Sequence, residues 1–446
     1  SMMSDSSANA LPCPEYQNPA STFSRVALVL ALVLVSATFF LISPQPGKTY
    51  PGAIPWGEFS VLHSLTDLMS LQGLAVTARG VEIKDFAFHL AAVLGLVLVG
   101  ARALALRSAR DGGGAYRPSQ WAQLFLAAWV LLSLLSSLWA ADPAAARSQS
   151  LLYALQLVWA VALAGLLDRR HLPALLHGLV IISAFGALLC IWYYYERNPF
   201  HRPGFPLGNP NVLAATILPA TLIALATVAG SAAQALRDRR WPADWRVTTA
   251  LAALVPLGWC LALTQARGAL LALAVTVAVV LLPRLVMAIL GRRDARLTGV
   301  VVGVILLAAA GAGAWWYRAS HFDAAMARGA TIRLRFYAWR YAAELWQENT
   351  FNQALGHGAG AYPRLAGYLA TRDQALDPAA FMGEIVEHAH NELFEVLTEI
   401  GLFGGVVYVG GLIAILFAGL AALRTTTGME HWRQLGLLAG IVALLI

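Results

Sequence analysis

Charged residues are scarce in this chain, and their scarcity excludes most soluble folds. Only 12% of the 446 residues are Asp, Glu, Lys or Arg, and 59% are hydrophobic. A soluble globular chain is about half apolar and about a quarter charged. The apolar residues gather in runs of about 18 or more, the length at which a helix crosses a bilayer. The composition therefore predicts an all-α polytopic membrane protein.

Cysteine residues and clusters of basic residues are also sparse in this sequence. The three cysteines, Cys13, Cys190 and Cys260, are scattered, which excludes a disulfide framework and a zinc-binding pattern. The net charge is +7, but no Lys/Arg block with interleaved aromatic residues indicates nucleic-acid binding. Membrane topology explains the positive charge better, because cytoplasmic loops carry an excess of basic residues.

Eleven apolar runs are candidate membrane spans. They predict helices at about 26–42, 86–106, 121–140, 150–167, 173–195, 212–230, 247–264, 269–290, 297–317, 402–423 and 434–446. The last is too short to cross about 30 Å of hydrocarbon, so we expect it to be incomplete and the whole protein to have about twelve spans. The expected organisation is a cytoplasmic tail (1–25), nine spans with short loops (26–317), one large loop (318–401) and C-terminal spans (402–446).

The basic residues predict the orientation of these spans. With the N-terminus inside, the inner loops hold 17 arginines, whereas the short outer loops hold seven Lys or Arg residues. The large loop then lies outside. Within it, the stretch RLRFYAWRYAAELWQ places Leu334, Tyr337, Tyr341 and Leu345 on one stripe of a helix. Its tyrosines and tryptophans are typical of a helix lying at the membrane surface.

The stretch EHAHNELFEVLTEIGLFGG, which precedes the tenth span, is unusually polar for this chain. His390 is a candidate general base for a hydroxyl group, and Glu387 would orient it or compete with it. The simpler interpretation of His390 and Asn391 is a cap at the start of a span. His388 and His390 would bind a metal poorly on a helix, because their side chains would point about 200° apart. Gly401 and Gly404 would allow a helix to end or another backbone to approach.

Arginines on the outer side, where the topology rule disfavours them, are candidate anion ligands. Arg267 occupies a short turn in TQARGALLAL, and Arg197 and Arg202 flank a Pro/Gly/Asn-rich loop. Guanidinium groups match phosphate oxygens in a bidentate fork, and several together would suit a diphosphate; the alternative is simple anchoring at the bilayer edge. The stretch GHGAGAYP (356–363) is either a tight turn between surface helices or an anion-binding nest of backbone amides.

Taken together, these motifs resemble the bacterial O-antigen ligases. His390-Asn391, nine residues and Gly401-x-x-Gly404 match the family's H-[NSQ]-x9-G-x-x-[GTY] signature. TQARGALLAL resembles its S-R-G turn, with Ala266 in place of Ser. RFYAW followed by GHGAGAYP resembles the R-x-x-x-W and G-x-G-x-x-x-F/Y block of the wider ligase and polymerase superfamily, and RPGFPLGNPN resembles its Gly-Asn-Pro-Asn loop.

The resemblance implies a fold and a reaction. The expected fold has about twelve transmembrane helices and a large helical periplasmic loop, similar to GT-C-like glycosyltransferases. The expected reaction, in the bacterial inner membrane, moves O-polysaccharide from undecaprenyl diphosphate to an outer sugar of lipid A–core, without metal or other cofactor. By resemblance, His390 deprotonates the acceptor, Arg267 and Arg335 bind the diphosphate, and further residues assist as donor ligands (Arg202, Arg197, Arg340) or as supports around the base (Asn391, Glu387, His388).

Fixed arginines would stabilise the charge that grows on the leaving diphosphate, and a base on the far side of the anomeric carbon predicts inversion. Three other functions remain open. An O-antigen polymerase would use a lipid-linked glycan as acceptor, and a protein O-oligosaccharyltransferase would use Ser or Thr. A transporter or flippase for lipid-linked glycan would show charges within spans or repeated halves; the spans hold chiefly His89 and His177.

Overall fold

The structure is a computed structural model, which describes residues 19–40, 118–167, 171–197, 203, 210–239, 244–290, 325–374, 388–389 and 391–445. These residues form helices, with no strand among them. The helices of the first part are α1 (Pro19–Phe40), α2 (Pro118–Ser136), α3 (Pro143–Leu166), α4 (Leu172–Arg197), α5 (Pro210–Asp238), α6 (Trp245–Thr264), α7 (Arg267–Thr276) and, after a π-helical segment (Val277–Leu281), α8 (Leu282–Leu290). The later helices are α9 (Ala325–Gln347), α10 (Thr350–Leu355), α11 (Tyr362–Gln374), α12 (Glu392–Thr425) and α13 (Gly428–Leu445).

Local sequence fixes several helix starts. Pro118, Pro143 and Pro210 occupy first helical positions, where a missing N–H costs no hydrogen bond. Asp142 and Asp244 cap α3 and α6, because their carboxylates accept backbone N–H groups of the first turn. The apolar runs supply the rest, since a helix satisfies its own backbone hydrogen bonds in lipid.

Five of the described helices are long and apolar enough to cross a membrane. They lie at Leu172–Glu196, Pro210–Leu236, Trp245–Thr264, Arg267–Ile289 and Glu392–Thr425. The predictions of an all-α membrane protein and of helices at these positions are confirmed. Helices also occur at the predicted spans near 26–42, 121–140, 150–167 and 434–446, and the last begins six residues earlier than expected, at Gly428. The predicted spans at 86–106 and 297–317 lie outside the described residues.

Three sets of close contacts hold the bundle together. Helices α4, α5 and α6 share a core that includes Leu176, Leu213 and Leu257. Helix α13 packs closely on α5, because Gly436 and Gly440 have no side chain to separate it from the α5 backbone near Ile223 and Pro219. Helix α12 packs on α2 and α3 through the rings of Trp129, Tyr153 and Tyr408 and through Gly410 against Phe125.

The helices alternate in direction, so the bundle has two distinct ends. Asp244 lies 3.4 Å from Arg433 at one end, which also carries the α12–α13 turn and is called the lower end here. The opposite, upper end carries the α2–α3 turn, the α6–α7 turn and the start of α12. Helices α9, α10 and α11 belong to this upper end, since the turn after α10 packs on Ala140, just beyond α2.

Candidate functional site

The Gly-rich turn at 356–363 and the first part of α12, which lies in the polar stretch, meet at the upper end. Their backbones are in contact there. Helix α12 is broken at Gly401, whose φ of 68° is left-handed. This break takes the Thr398 and Glu399 carbonyls out of the helical ladder, and they accept the N–H groups of His357 (2.9 Å) and Gly358 (2.8 Å). The predicted close approach at Gly401 is therefore confirmed, and the predicted tenth span begins at this kink.

The Gly-rich turn is buried rather than lying between surface helices. Gly356, Gly358 and Gly360 all have positive φ, and a Cβ at 358 would lie 2.2 Å from that of Ala140. Ala359 N–H donates to the Ser136 hydroxyl (3.0 Å). The turn therefore connects α2, α10, α11 and α12. The interpretation as a tight turn is confirmed, and its burial differs from the prediction.

An amide of this turn already binds a carboxyl group of the protein itself. The N–H of Tyr362 donates to a carboxylate oxygen of Glu399 (3.2 Å), and the Glu399 side chain is buried. His357, also buried, approaches the Leu345 carbonyl with its Nε2 at 2.9 Å. The alternative of a nest that is open to a substrate phosphate finds no support here, because these donors face protein acceptors.

The predicted stripe of α9 is confirmed, but its partner is protein. Tyr341 is fully buried, and Leu334, Tyr337 and Leu345 pack around it. The stripe faces α11 and α12 through Tyr362, Ala366 and Phe394, so these tyrosines are not free to lie in the membrane surface. The exposed aromatic side chain on this part of α9 is that of Phe336.

Arg340 is engaged by carboxylates. Its guanidinium pairs with Asp373 and with Glu344 (3.3 Å) and lies over the rings of Tyr337 and Tyr341. Arg372 (2.9 Å) and the Tyr341 hydroxyl (3.1 Å) also donate to Asp373. Burial would raise the pKa of Asp373, but the hydrogen bonds from Arg372 and Tyr341 and the charges of the two arginines outweigh it and hold that pKa below its ordinary value.

The network around Asp373 also affects the pKa of the Tyr341 phenol, and it joins two helices. Burial, together with the charge of Asp373, raises the pKa of Tyr341. Asp373 belongs to α11, whereas Arg340, Tyr341 and Glu344 belong to α9. The network therefore fixes α11 against the helix that carries Arg335.

Arg267 and Arg335 are exposed at the start of α7 and on α9. Gln265, which is left-handed (φ 49°), ends α6, so Arg267 opens α7 at the upper end after a two-residue turn, as predicted. Ala266 gives no side-chain cap at the N-cap position of α7, where the resembling motif has Ser. Arg197 ends α4 at the same end. The Arg197 side chain, Arg202, Glu387 and His390 lie outside the described residues, so their roles stay predictions.

The interpretation of Asn391 as a cap is confirmed. Its side-chain oxygen accepts the N–H groups of Leu393 (3.1 Å) and Phe394 (3.2 Å) at the start of α12. His388 and Ala389 precede the helix, so the helical spacing assumed for a His388–His390 metal pair was wrong. Among the described residues, no three of His, Cys, Asp or Glu form a metal-binding group.

Sequence reasoning missed two carboxylates of the upper end that bind the backbone. Glu399 binds Tyr362, and Glu395 accepts the N–H of Ala389 at 2.6 Å. Asp373 was also missed. The spacing of Glu395, four residues after an Asn cap, was a local signal that could have indicated a carboxylate folding back on the residues before the helix. Glu399 and Asp373 act across distant segments and left no such signal.

The fold defines the class of an all-α membrane protein in which the helices of residues 325–374 pack on one end of a bundle. A comparison with protein families then identifies residues 252–409 as an O-antigen ligase domain. Over these residues, the chain is similar to the O-antigen ligase superfamily. The matched region contains α7, α9, α10, α11 and the kinked part of α12. A search of curated proteins finds no match.

Proposed function

We propose that the protein transfers O-polysaccharide from undecaprenyl diphosphate to a core sugar hydroxyl of lipid A–core, in the periplasmic leaflet of the bacterial inner membrane. The observation that carries this proposal is the family domain at 252–409, which contains Arg267, Arg335 and His390. The fold supports it, since the described members of this set lie at the end of the bundle that also carries the helices of the long loop.

The proposed mechanism assigns His390 as the base that removes the proton from the acceptor hydroxyl. Arg267 and Arg335 bind the diphosphate, and their fixed charges stabilise the leaving group as the glycosidic bond breaks. Attack from the side opposite the leaving group gives inversion at the anomeric carbon. The reaction needs no metal in this scheme, since guanidinium groups supply the positive charge.

Among the arginines, Arg267 and Arg335 are better placed for this role than Arg340. Arg267 opens α7 and Arg335 lies on α9, and both side chains are exposed. The guanidinium of Arg340 is paired with two carboxylates. A diphosphate that recruited Arg340 would compete with Asp373 for its guanidinium. We therefore propose that Arg340 acts chiefly by holding α11 on α9, and that Arg202 and Arg197 complete the donor site.

The decisive experiment offers one lipid-linked glycan to three acceptors in a cell-free assay with purified protein. The acceptors are lipid A–core, a second lipid-linked glycan and a Ser-containing protein. The proposal expects glycan on lipid A–core alone. Product on the second lipid-linked glycan would instead indicate a polymerase, and product on protein an oligosaccharyltransferase. Movement of the donor between leaflets of a vesicle without any new glycosidic bond would indicate a transporter.

A further inference from the structure

The residues just before α12 are held by one carboxylate of that helix. Glu395 Oε1 accepts the N–H of Ala389 at 2.6 Å, and the same oxygen lies 3.4 Å from Nδ1 of His388. The Glu395 side chain is 20% exposed, so the bond is partly shielded from water. A hydrogen bond from an N–H to an ionised carboxylate is stronger than one between neutral groups.

Ala389 makes this bond structurally important. It is fully buried in the cluster that α9 and α11 form around Tyr341. A buried N–H without an acceptor is unfavourable, and Glu395 supplies the acceptor. The carboxylate therefore fixes residues 388–389 at once to α12 and to the helix that carries Arg335.

The next described residue is fixed as well. Asn391 is tied to the first turn of α12 by two hydrogen bonds from backbone N–H groups. The chain is thus held on both sides of position 390, by Ala389 through Glu395 and by Asn391 through its own side chain. Glu392, the neighbouring glutamate of the same helix, is exposed at the helix start and has no bond of this kind described.

From these contacts we infer that Glu395 is a positioning residue for the proposed reaction: it holds His388 and Ala389, which directly precede the proposed base in the sequence. This inference rests on the proposed function. Glu395 acts through the backbone and touches neither donor nor acceptor. Its loss should therefore lower the rate of the chemical step while leaving the capture of the donor by the arginines intact, because a displacement of about 1 Å in a catalytic group costs about a hundredfold in rate.

The test compares Glu395→Ala and Glu395→Gln with the matched control Glu392→Ala in the full-length purified protein. The first readout needs no substrate: hydrogen–deuterium exchange of peptides that cover 388–394. Glu395→Ala should speed exchange in this segment, whereas Glu395→Gln should not, because its amide oxygen still accepts the Ala389 N–H. Glu392→Ala should exchange like the wild type, and peptides of α13 should report intact folding in every variant.

The second readout is transfer to lipid A–core. Glu395→Ala should lower kcat at least about tenfold with the KM for the donor within about twofold, and Glu395→Gln should recover most of kcat. Wild-type exchange and kcat in Glu395→Ala would overturn the inference. So would a Glu395→Gln variant with wild-type exchange but the low kcat of Glu395→Ala, since the charge rather than the hydrogen bond would then matter. If the wild type makes another product while the exchange pattern holds, the proposed acceptor fails and the positioning role stands for the reaction observed.

Discussion

Gly356 and Gly401 face each other across the junction between the Gly-rich turn and the kinked helix. Both have left-handed φ, of 70° and 68°. A Cβ on Gly356 would lie 2.3 Å from the backbone of Glu399, and a Cβ on Gly401 would lie 2.4 Å from the backbone of Ala354. Two motifs that are 45 positions apart in the sequence are therefore one structural unit, and neither position tolerates a side chain.

The first prediction concerns this pair. Gly401→Ala and Gly356→Ala should each lower the free energy of unfolding by about 2–4 kcal/mol, through left-handed strain and through overlap with backbone atoms that cannot move aside. The measurement is the apparent Tm of the purified protein in detergent. Gly367→Ala is the control, because a Cβ there meets nothing within 4 Å. The same apparent Tm for all three variants would contradict the close approach of the two segments at Gly356 and Gly401.

The second prediction concerns pH and Asp373. The pKa of Asp373 is held below its ordinary value near 3.8, so the ionised carboxylate stabilises the fold above that value, and the stabilisation is lost as the pH falls through the lowered pKa. Apparent Tm should therefore fall on acidification below about pH 4. Asp373→Asn should melt lower at neutral pH and lose part of this acid dependence. An unchanged acid dependence would show that the network around Asp373 does not contribute.

The third prediction tests the donor site. Arg267→Ala should weaken binding of undecaprenyl diphosphate by about tenfold or more, since a charge-assisted contact to phosphate is lost. Binding of the labelled lipid to the detergent-solubilised protein measures this. Arg147→Ala, which removes another exposed arginine of the upper end, should bind as the wild type does. Equal affinity for both variants would remove Arg267 from the site.

The fourth prediction tests the base. His390→Ala should abolish transfer of O-polysaccharide to lipid A–core, a loss of at least about a hundredfold, while donor binding stays normal. His388→Ala, two residues away, should keep most of the activity, since Glu395 still accepts the Ala389 N–H in its absence. A fully active His390→Ala variant would reassign the base.

The fifth prediction concerns metals. Dialysis against EDTA should leave the initial rate of transfer unchanged, because arginines provide the positive charge in the proposed mechanism. The control is a second aliquot to which Mg²⁺ is added back after dialysis. Strong inhibition by EDTA with recovery on Mg²⁺ would require a metal in the reaction and would draw attention to His388 and His390.

Much of the fold followed from periodicity and composition. Helices α4 and α6, and α7 together with the π-helical segment and α8, lie within a few residues of the runs that predicted them, because a chain this apolar has few alternatives to helix in lipid. Helix α5 extends eight residues beyond its predicted run. The stripe of Leu334, Tyr337, Tyr341 and Leu345 was also correct. The prediction that this helix lies at the membrane surface was wrong for the stripe, which packs on protein. A 3.6-residue periodicity identifies a buried face but does not distinguish burial against protein from burial in a membrane.

The features of the candidate site that depend on residues adjacent in the sequence were predictable. The short turn at Arg267 and the cap at Asn391 depend on neighbouring residues, and the structure has both. The pairing of Arg340 with Asp373 joins residues 33 positions apart. The sequence shows that Arg340 is positively charged, which led to its assignment to an anion site. It does not show that packing places the Asp373 carboxylate beside Arg340.

The sequence by itself determined that this protein is helical, that it is built for a membrane and which superfamily its motifs resemble, because apolar runs and short motifs are properties of consecutive residues. Only the tertiary structure decided how the motifs are joined. The close approach of Gly356 to the Glu399 backbone and of Gly401 to the Ala354 backbone depends on where a helix breaks and what packs into the break. So do the bonds of Glu395 and Glu399 to distant or preceding N–H groups. Such contacts arise when buried polar backbone groups must find partners, and those partners come from anywhere along the chain.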